Sequence, residues 1–498
     1  MHDWGMAGWI LIGLYMTVTL VFVVRGAVRI KNMSDYALGN IFFSPVAVGL
    51  ALAASMTSAA TFIINPGFVA IYGVTAVISY AFVLPVAAMT SLVILTKSFR
   101  AHGSTVKALS MAQWMSTRYK SPGYGFFFAI LSLLLITFIV LICVGLTKVI
   151  SKTLDISEMT ALAGIVIFIF GYMMYGGANS MVYTNTIQAL VMIVVAIILL
   201  TSGYEHFSNG VHGLLDKLAA IDPALAQPLN KNSFLFRDYF EIGFVQIVVG
   251  IAIVCQPHII TKSLLLKDDK GVNRYLTVAV VTEILFFLVV IAGLYARFAF
   301  PDLTFNGEPL KMDGIISAYV VQEFPVYIGL IVVLGLISAG ISTLEGLIQA
   351  LATTITEDII RPVSRKLDKV RFIDKNGILI NKGVIALLAV VSIWLSWDQL
   401  VNPKLSVAIF AQNGVYAYFA AAFLPIVLGM FVKELPRVVP IAASVTAVVV
   451  HFTMYYAKLP VPFSAATGEN PGVAAAIAII VSVLVAFGLM LVTRGKRL

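Results

Sequence analysis

The sequence predicts an all-α polytopic membrane protein, from its apolar excess, its apolar runs of membrane length and the alternation of its basic loops. Hydrophobic residues fill 60% of the 498 positions and charged residues only 11%, whereas a soluble domain carries about a quarter of its residues charged. Apolar runs of about 18 to 25 residues recur along the chain, each long enough to cross ~30 Å of hydrocarbon. A soluble helical protein would need polar helix faces, which these runs lack. The net charge of +9 follows membrane topology, so nucleic acid is not among the expected partners. Cys143 and Cys255 sit in separate apolar runs without metal-ligand spacing and read as buried free thiols.

Thirteen crossings are predicted, near residues 7–24, 44–72, 74–96, 123–147, 158–175, 183–202, 241–261, 275–299, 325–358, 383–397, 405–430, 438–456 and 472–493. The first run has no basic stretch before it and no small-residue cleavage site after it. Arg25, Arg29 and Lys31 follow instead, the layout of a retained helix with its N-terminus outside. Thirteen crossings then bring the C-terminus to the cytoplasm. Of the 33 Lys and Arg residues, 24 fall in the loops and tail assigned to the cytoplasm: three after the first helix, five at 97–120, four at 262–274, seven at 361–382, two at 433–437 and three in the tail. That asymmetry obeys the positive-inside rule. The expected location is the plasma (cytoplasmic) membrane, with the lipid bilayer as its medium. The long loops at 97–122, 203–240 and 300–324 are too short for a soluble catalytic domain, so residues 1–498 read as one transmembrane domain.

Two crossings are interrupted. The second contains Asn65-Pro66-Gly67, and the seventh contains Gly250 and then Gln256-Pro257-His258. Proline removes a backbone donor and disfavours helix before it, so each helix is expected to break inside the membrane. Unwound backbone at that depth survives only where protein or a wet cavity satisfies it. Five crossings separate the two breaks, so the broken helices run in opposite directions. This is the pattern of inverted five-helix repeats with a binding site between them.

Polar residues gather near those breaks. Ala53-Ala54-Ser55-Met56-Thr57-Ser58-Ala59-Ala60-Thr61 precedes the first, and the ninth crossing carries Ser338-Ala339-Gly340-Ile341-Ser342-Thr343-Leu344-Glu345. A hard monovalent cation needs about five or six oxygens, which hydroxyls and freed carbonyls supply. Ser342 and Thr343 share one helix turn, with the carbonyl of Ala339 one turn earlier. Glu345 lies half-way through a membrane helix, where a carboxylate costs several kcal/mol unless paired, protonated or wet, and reads as functional. Glu283, nearer a helix end in the eighth crossing, reads as structural.

These segments resemble the sodium:solute symporter family over about residues 1–430. The resemblance rests on SDYALG at 34–39, SMTSAATFIINPG at 55–67, YGGANSMVYTNTIQ at 175–188, QPH at 256–258 and SAGISTLEGLIQALATTITEDI at 338–359. IDPAL at 221–225 is most similar to the pantothenate and monocarboxylate branch. The resemblance implies a leucine-transporter-like fold with two inverted repeats, crossings 2–6 (residues 44–202) and 7–11 (residues 241–430). One extra helix precedes them and two follow. It implies sodium as the coupling ion, held by the carbonyls of Ala54, Thr57 and Ala339 and the hydroxyls of Ser342 and Thr343. It also implies a midplane solute site against Ser58, Thr61 and Gln256. The family commonly carries Asp where this chain has Asn185, in Thr184-Asn185-Thr186-Ile187-Gln188, and Ser where it has Glu345. Asn185 and Glu345 are therefore expected to approach each other and form a relocated cation or proton site.

The expected function is sodium-coupled uptake of a small polar solute, a monocarboxylate or pantothenate-like acid, by alternating access. A proton-coupled carrier of the same fold, using Glu345, is the alternative. An intramembrane enzyme is disfavoured because the six histidines show no ligand pairing. A sensor is disfavoured because the sequence ends at Arg494-Gly495-Lys496-Arg497-Leu498 without a signalling domain. No organic cofactor and no obligatory protein partner are expected.

Overall fold

The computed structural model describes residues 2–106, 108–266, 270–366, 370–402 and 406–495. Of the basic residues counted above, Lys107, Lys267, Lys369, Lys404, Lys496 and Arg497 lie outside them. Ten helices among the described residues are long and apolar enough to cross a membrane, and two bent helix pairs form one further span each. The single spans are Gly5–Ala27, Val74–Arg100, Pro122–Leu154, Glu158–Thr201, Val272–Ala299, Val326–Arg365, Lys375–Val401, Val407–Phe431, Val438–Tyr456 and Pro471–Thr493.

The segment Glu158–Thr201 counts twice. A straight helix of its 44 residues would be about 66 Å long, twice the hydrocarbon thickness. Its Tyr172 and Thr184 would then stand about 18 Å apart, yet both donate to the carboxylate of Glu345, Thr184 Oγ1 at 2.6 Å. The chain therefore folds back between them, at Gly177, whose φ of 55° and ψ of −164° leave the helix. A side chain there would be strained by the positive φ and would run into the carbonyl of Tyr36. Counted this way the described residues form thirteen spans, numbered 1 to 13 below in chain order. The sequence reading set the fifth and sixth crossings apart by a loop at 176–182; these residues are helical except at Gly177.

Spans 2 and 7 are the bent pairs, Pro45–Met56 with Ala60–Tyr72 at 57° and Phe240–Ile253 with Pro257–Leu265 at 58°. In span 7 the break lies where Pro257 predicted it. In span 2 it does not. The helix stops at Met56, Thr57 is extended (φ −87°, ψ 103°), and helix resumes before Asn65-Pro66-Gly67. Residues 60–64 form a wide π turn, with the Asn65 amide donating to the carbonyl of Ala60. That turn absorbs the missing donor and ring bulk of Pro66 without unwinding the helix. Gly67 serves packing, since a Cβ there would collide with the carbonyl of Met312 in the loop between spans 8 and 9.

Span 9 runs through the centre, packed against spans 2, 4, 5 and 6. One end of the bundle is tied by the short helix Met33–Leu38. Its Tyr36 hydroxyl donates to the carbonyl of Met173, and Gln349 Nε2 on span 9 donates to the carbonyls of Tyr36 (3.1 Å) and Ala37 (2.7 Å). Ser110 donates to Asp358 beside this tie. The opposite end is closed by aromatic edges: Phe68, Tyr72 and Tyr80 surround Phe236 with centroids 5.3–6.4 Å apart.

Candidate cation and solute site

Where span 2 stops at Met56, its last carbonyls lose their helical partners and must be satisfied from elsewhere. Span 9 does this. Ser342 Oγ lies 2.6 Å from the carbonyl of Ala54 and 3.1 Å from that of Ala339. Thr343 Oγ1 lies 3.0 Å from the carbonyl of Ser55, 3.3 Å from that of Thr57 and 3.4 Å from that of Ala339. The five oxygens singled out from the sequence thus converge, with Ser55 adding a sixth. Ligands about 2.4 Å from a hard cation stand ~3.4 Å apart around it. Four of the five separations, 3.0–3.4 Å, approach that spacing, while Ser342 and Ala54 at 2.6 Å are joined by a hydrogen bond; the donor set is all neutral oxygen, which suits a monovalent hard cation better than a divalent one.

Thr57 is fixed on its other side. Its hydroxyl donates at 2.8 Å to Glu283 Oε2, a carboxylate with no exposure. The sequence reading set Glu283 aside as structural and near a helix end. It sits mid-way along span 8 and holds the residue whose carbonyl belongs to the cage. An ionisable residue well inside an apolar span was the signal that deserved weight.

Ser58, Thr61 and Gln256 line one cavity of about 90 Å³, together with Asn65, Tyr80, His258, Gln412 and Tyr416. Among the described residues, no Lys or Arg lines it. The starts of both second half-helices, at Ala60 and at His258, border it. Gln256 Oε1 and His258 Nδ1 are buried there without a hydrogen-bond partner. Buried polar atoms are normally paired, so two open ones in a cavity wall suit a polar ligand. The break residues divide the work: the carbonyl of Thr57 faces the cage, and Ser58 faces the cavity.

Asn185 and Glu345 lie in direct contact. The Asn185 carboxamide is oriented by its neighbours: Nδ2 donates to Glu345 Oε2 (2.7 Å) and Gln188 Oε1 (2.9 Å), while Oδ1 accepts from Ser55 Oγ (2.9 Å) and Lys262 Nζ (3.1 Å). Lys262 is the residue that sequence reasoning misplaced. It stood among the four basic residues of the 262–274 loop, because the seventh crossing was ended at 261. The helix continues to Leu265, and Lys262 is 2% exposed, with Nζ donating to Ser55 Oγ at 2.7 Å. Its spacing five residues after Pro257, on the turn that the break aims inward, was the available sign.

Residues 36–446 match the sodium:solute symporter family. The sodium/pantothenate symporter of Haemophilus influenzae is 27% identical over 70% of this chain and 71% of its own length. The sodium/pantothenate symporter of Escherichia coli is 26% identical over 82% of each. Among solved structures, a substrate-bound, outward-open Na⁺-coupled sialic acid symporter superposes with a TM-score of 0.76 at 15% identity, covering 96% of this chain and 97% of that one. The matched span, the paired breaks and the fold agree: the chain belongs to the sodium:solute symporter family, membrane carriers that couple a solute to sodium.

Proposed function

We propose that the protein takes up a small carboxylic acid bearing hydroxyl or amide groups, of the pantothenate-like or monocarboxylate kind, together with sodium. Sodium would bind the carbonyls of Ala54, Thr57 and Ala339 and the hydroxyls of Ser342 and Thr343; the solute would bind against Ser58, Thr61 and Gln256. The observation that carries this reading is the adjacency of the two sites at one break. A cation drawing in the carbonyl of Thr57 fixes the next residue, Ser58, in the cavity wall. Sodium therefore organises the solute site, and by linkage solute tightens sodium equally. The hydroxyls of Ser58 and Thr61 and the positive ends of the half-helices bordering the cavity would serve the carboxylate, and the open Gln256 Oε1 would accept from a hydroxyl or amide N–H of the solute.

Residues 44–202 and 241–430 act as the inverted repeats whose relative movement exposes the cavity alternately to each side. The N-terminus lies outside and the C-terminus in the cytoplasm, in the plasma membrane. The polar tie of Ser110–Asp358 and Gln349 would then part for release, and the aromatic closure around Phe236 for entry. Proton coupling through Glu345 gains no support from the relatives, whose names carry sodium. The test is uptake of radiolabelled pantothenate and of short monocarboxylates into proteoliposomes under an inward sodium gradient. Gln256→Ala is expected to lower uptake at least tenfold; uptake equal in sodium and potassium gradients would refute the reading.

A further inference from the structure

Four groups converge one turn along span 9 from the sodium cage. Lys262 Nζ reaches Ser55 Oγ at 2.7 Å and Asn185 Oδ1 at 3.1 Å. Asn185 Nδ2 continues to Glu345 Oε2 at 2.7 Å, and the remaining capacity of that carboxylate is met by Thr184 Oγ1 at 2.6 Å and by the Tyr172 hydroxyl. The opposite charges are thus joined through a carboxamide that donates to one and accepts from the other. Both charged side chains are buried, 2% and 0% exposed. The ammonium comes from span 7, the two oxygens it contacts come from spans 2 and 6, and the span 9 carboxylate lies beyond the carboxamide. Ser55 belongs to both clusters: its carbonyl lies against Thr343, and its hydroxyl accepts from Lys262.

A buried ion pair made only for stability is a poor device, because desolvation cancels most of its attraction. A bridged arrangement is poorer still, since the carboxamide keeps the charges apart. The arrangement makes sense instead as a cation position: hydroxyl, carboxamide oxygen and a nearby carboxylate are the ligands a monovalent metal ion takes, and an ammonium of the same charge already contacts the first two. We propose that Lys262 is a tethered cation which fills a second cation position formed by Ser55, Asn185 and Glu345, so that the protein binds one free sodium where removal of the lysine would let it bind two.

The inference rests on the reading of the Ser342–Thr343 cage as the sodium site. Because the tether belongs to the second half of broken span 7, its charge moves only with that half-helix and never dissociates. The free sodium thus supplies all the ion coupling, and Ser55 links the two positions. A cavity of about 30 Å³ on the side of Ser110 is lined by Lys262, His258, Gln349 and Thr353. It offers a path by which a free cation would enter once the tether is gone.

The experiment is equilibrium binding of radioactive sodium to the purified full-length protein, for wild type, Lys262→Met, Lys262→Ala and Ser342→Ala/Thr343→Ala. The expected stoichiometry is one sodium per chain in wild type, two in both Lys262 variants and none in the cage variant. Adding Glu345→Gln to Lys262→Met should return it to one. Lys262 variants that bind one sodium, while the cage variant binds none, would overturn the tethered cation and leave the cage intact. Lys262 variants that do not fold even in saturating sodium would overturn it too, because a free cation should replace the ammonium. Wild type without sodium binding would refute the cage reading itself.

Discussion

The two polar clusters on span 9 occupy neighbouring turns, yet they are built on opposite principles. The Ser342–Thr343 cage contains no formal charge: six neutral oxygens, three of them carbonyls freed by the break at Thr57, face one another. The Glu345 cluster is charged, and its members arrive already bonded to one another from four spans. In the first, hydroxyls meet freed carbonyls; in the second, a tethered ammonium meets a hydroxyl and a carboxamide oxygen. On the proposed reading, neutral oxygens would let the cage release sodium at each cycle, whereas a covalently tethered ammonium cannot leave. The difference teaches that the number of polar residues at membrane depth does not count the ions carried.

The comparison breaks most severely at Glu345. Glu345→Ala leaves Lys262 buried opposite no carboxylate and should destabilise the protein by about 3–5 kcal/mol, the cost of stranding a buried charge. Lys262→Met introduced into that variant should recover most of the loss, since neither charge then remains. The check is a double-mutant cycle in thermal melts with potassium as the only metal cation; additive effects would mean that the two residues do not act as one unit.

A smaller effect is expected at the cage's edge. Glu283→Ala removes the acceptor of the Thr57 hydroxyl and should cost about 1–3 kcal/mol through the polar group left unpaired. The cage loses the brace on one of its carbonyls, so sodium affinity should fall several-fold. Glu283→Gln keeps an acceptor at the same reach and should retain near-normal affinity. Sodium titrations of the melting temperature distinguish a brace from a purely structural role: equal sodium affinity in Glu283→Ala and wild type would remove the brace.

Much of the fold was legible because hydropathy and basic-loop alternation are imposed by the bilayer itself. The approach of Ser342 and Thr343 to the carbonyls of span 2 was legible in part, since the two share a helix turn and a break was expected nearby, while the individual carbonyls came from the family resemblance. What proline suggested about that break was misleading. A π turn at 60–64 carries the chain through Pro66, and the unwinding falls at Thr57, where span 9 offers hydroxyls to the freed carbonyls. Lys262 was hidden by a boundary: a basic residue one position past a predicted helix end looks like loop charge until a 58° bend turns its half-helix inward. Glu283 was hidden because its partner, Thr57, lies 226 residues away in sequence. Such long-range pairings leave no local periodicity to read.

The most direct test of the account is the melting temperature of the purified protein in NaCl against KCl, for wild type and Ser342→Ala/Thr343→Ala. At 100 times its dissociation constant sodium should stabilise the wild type by ~2.7 kcal/mol. The account predicts an upshift in sodium only, abolished in the double variant. An equal upshift in the two proteins, or one that potassium reproduces, would contradict it.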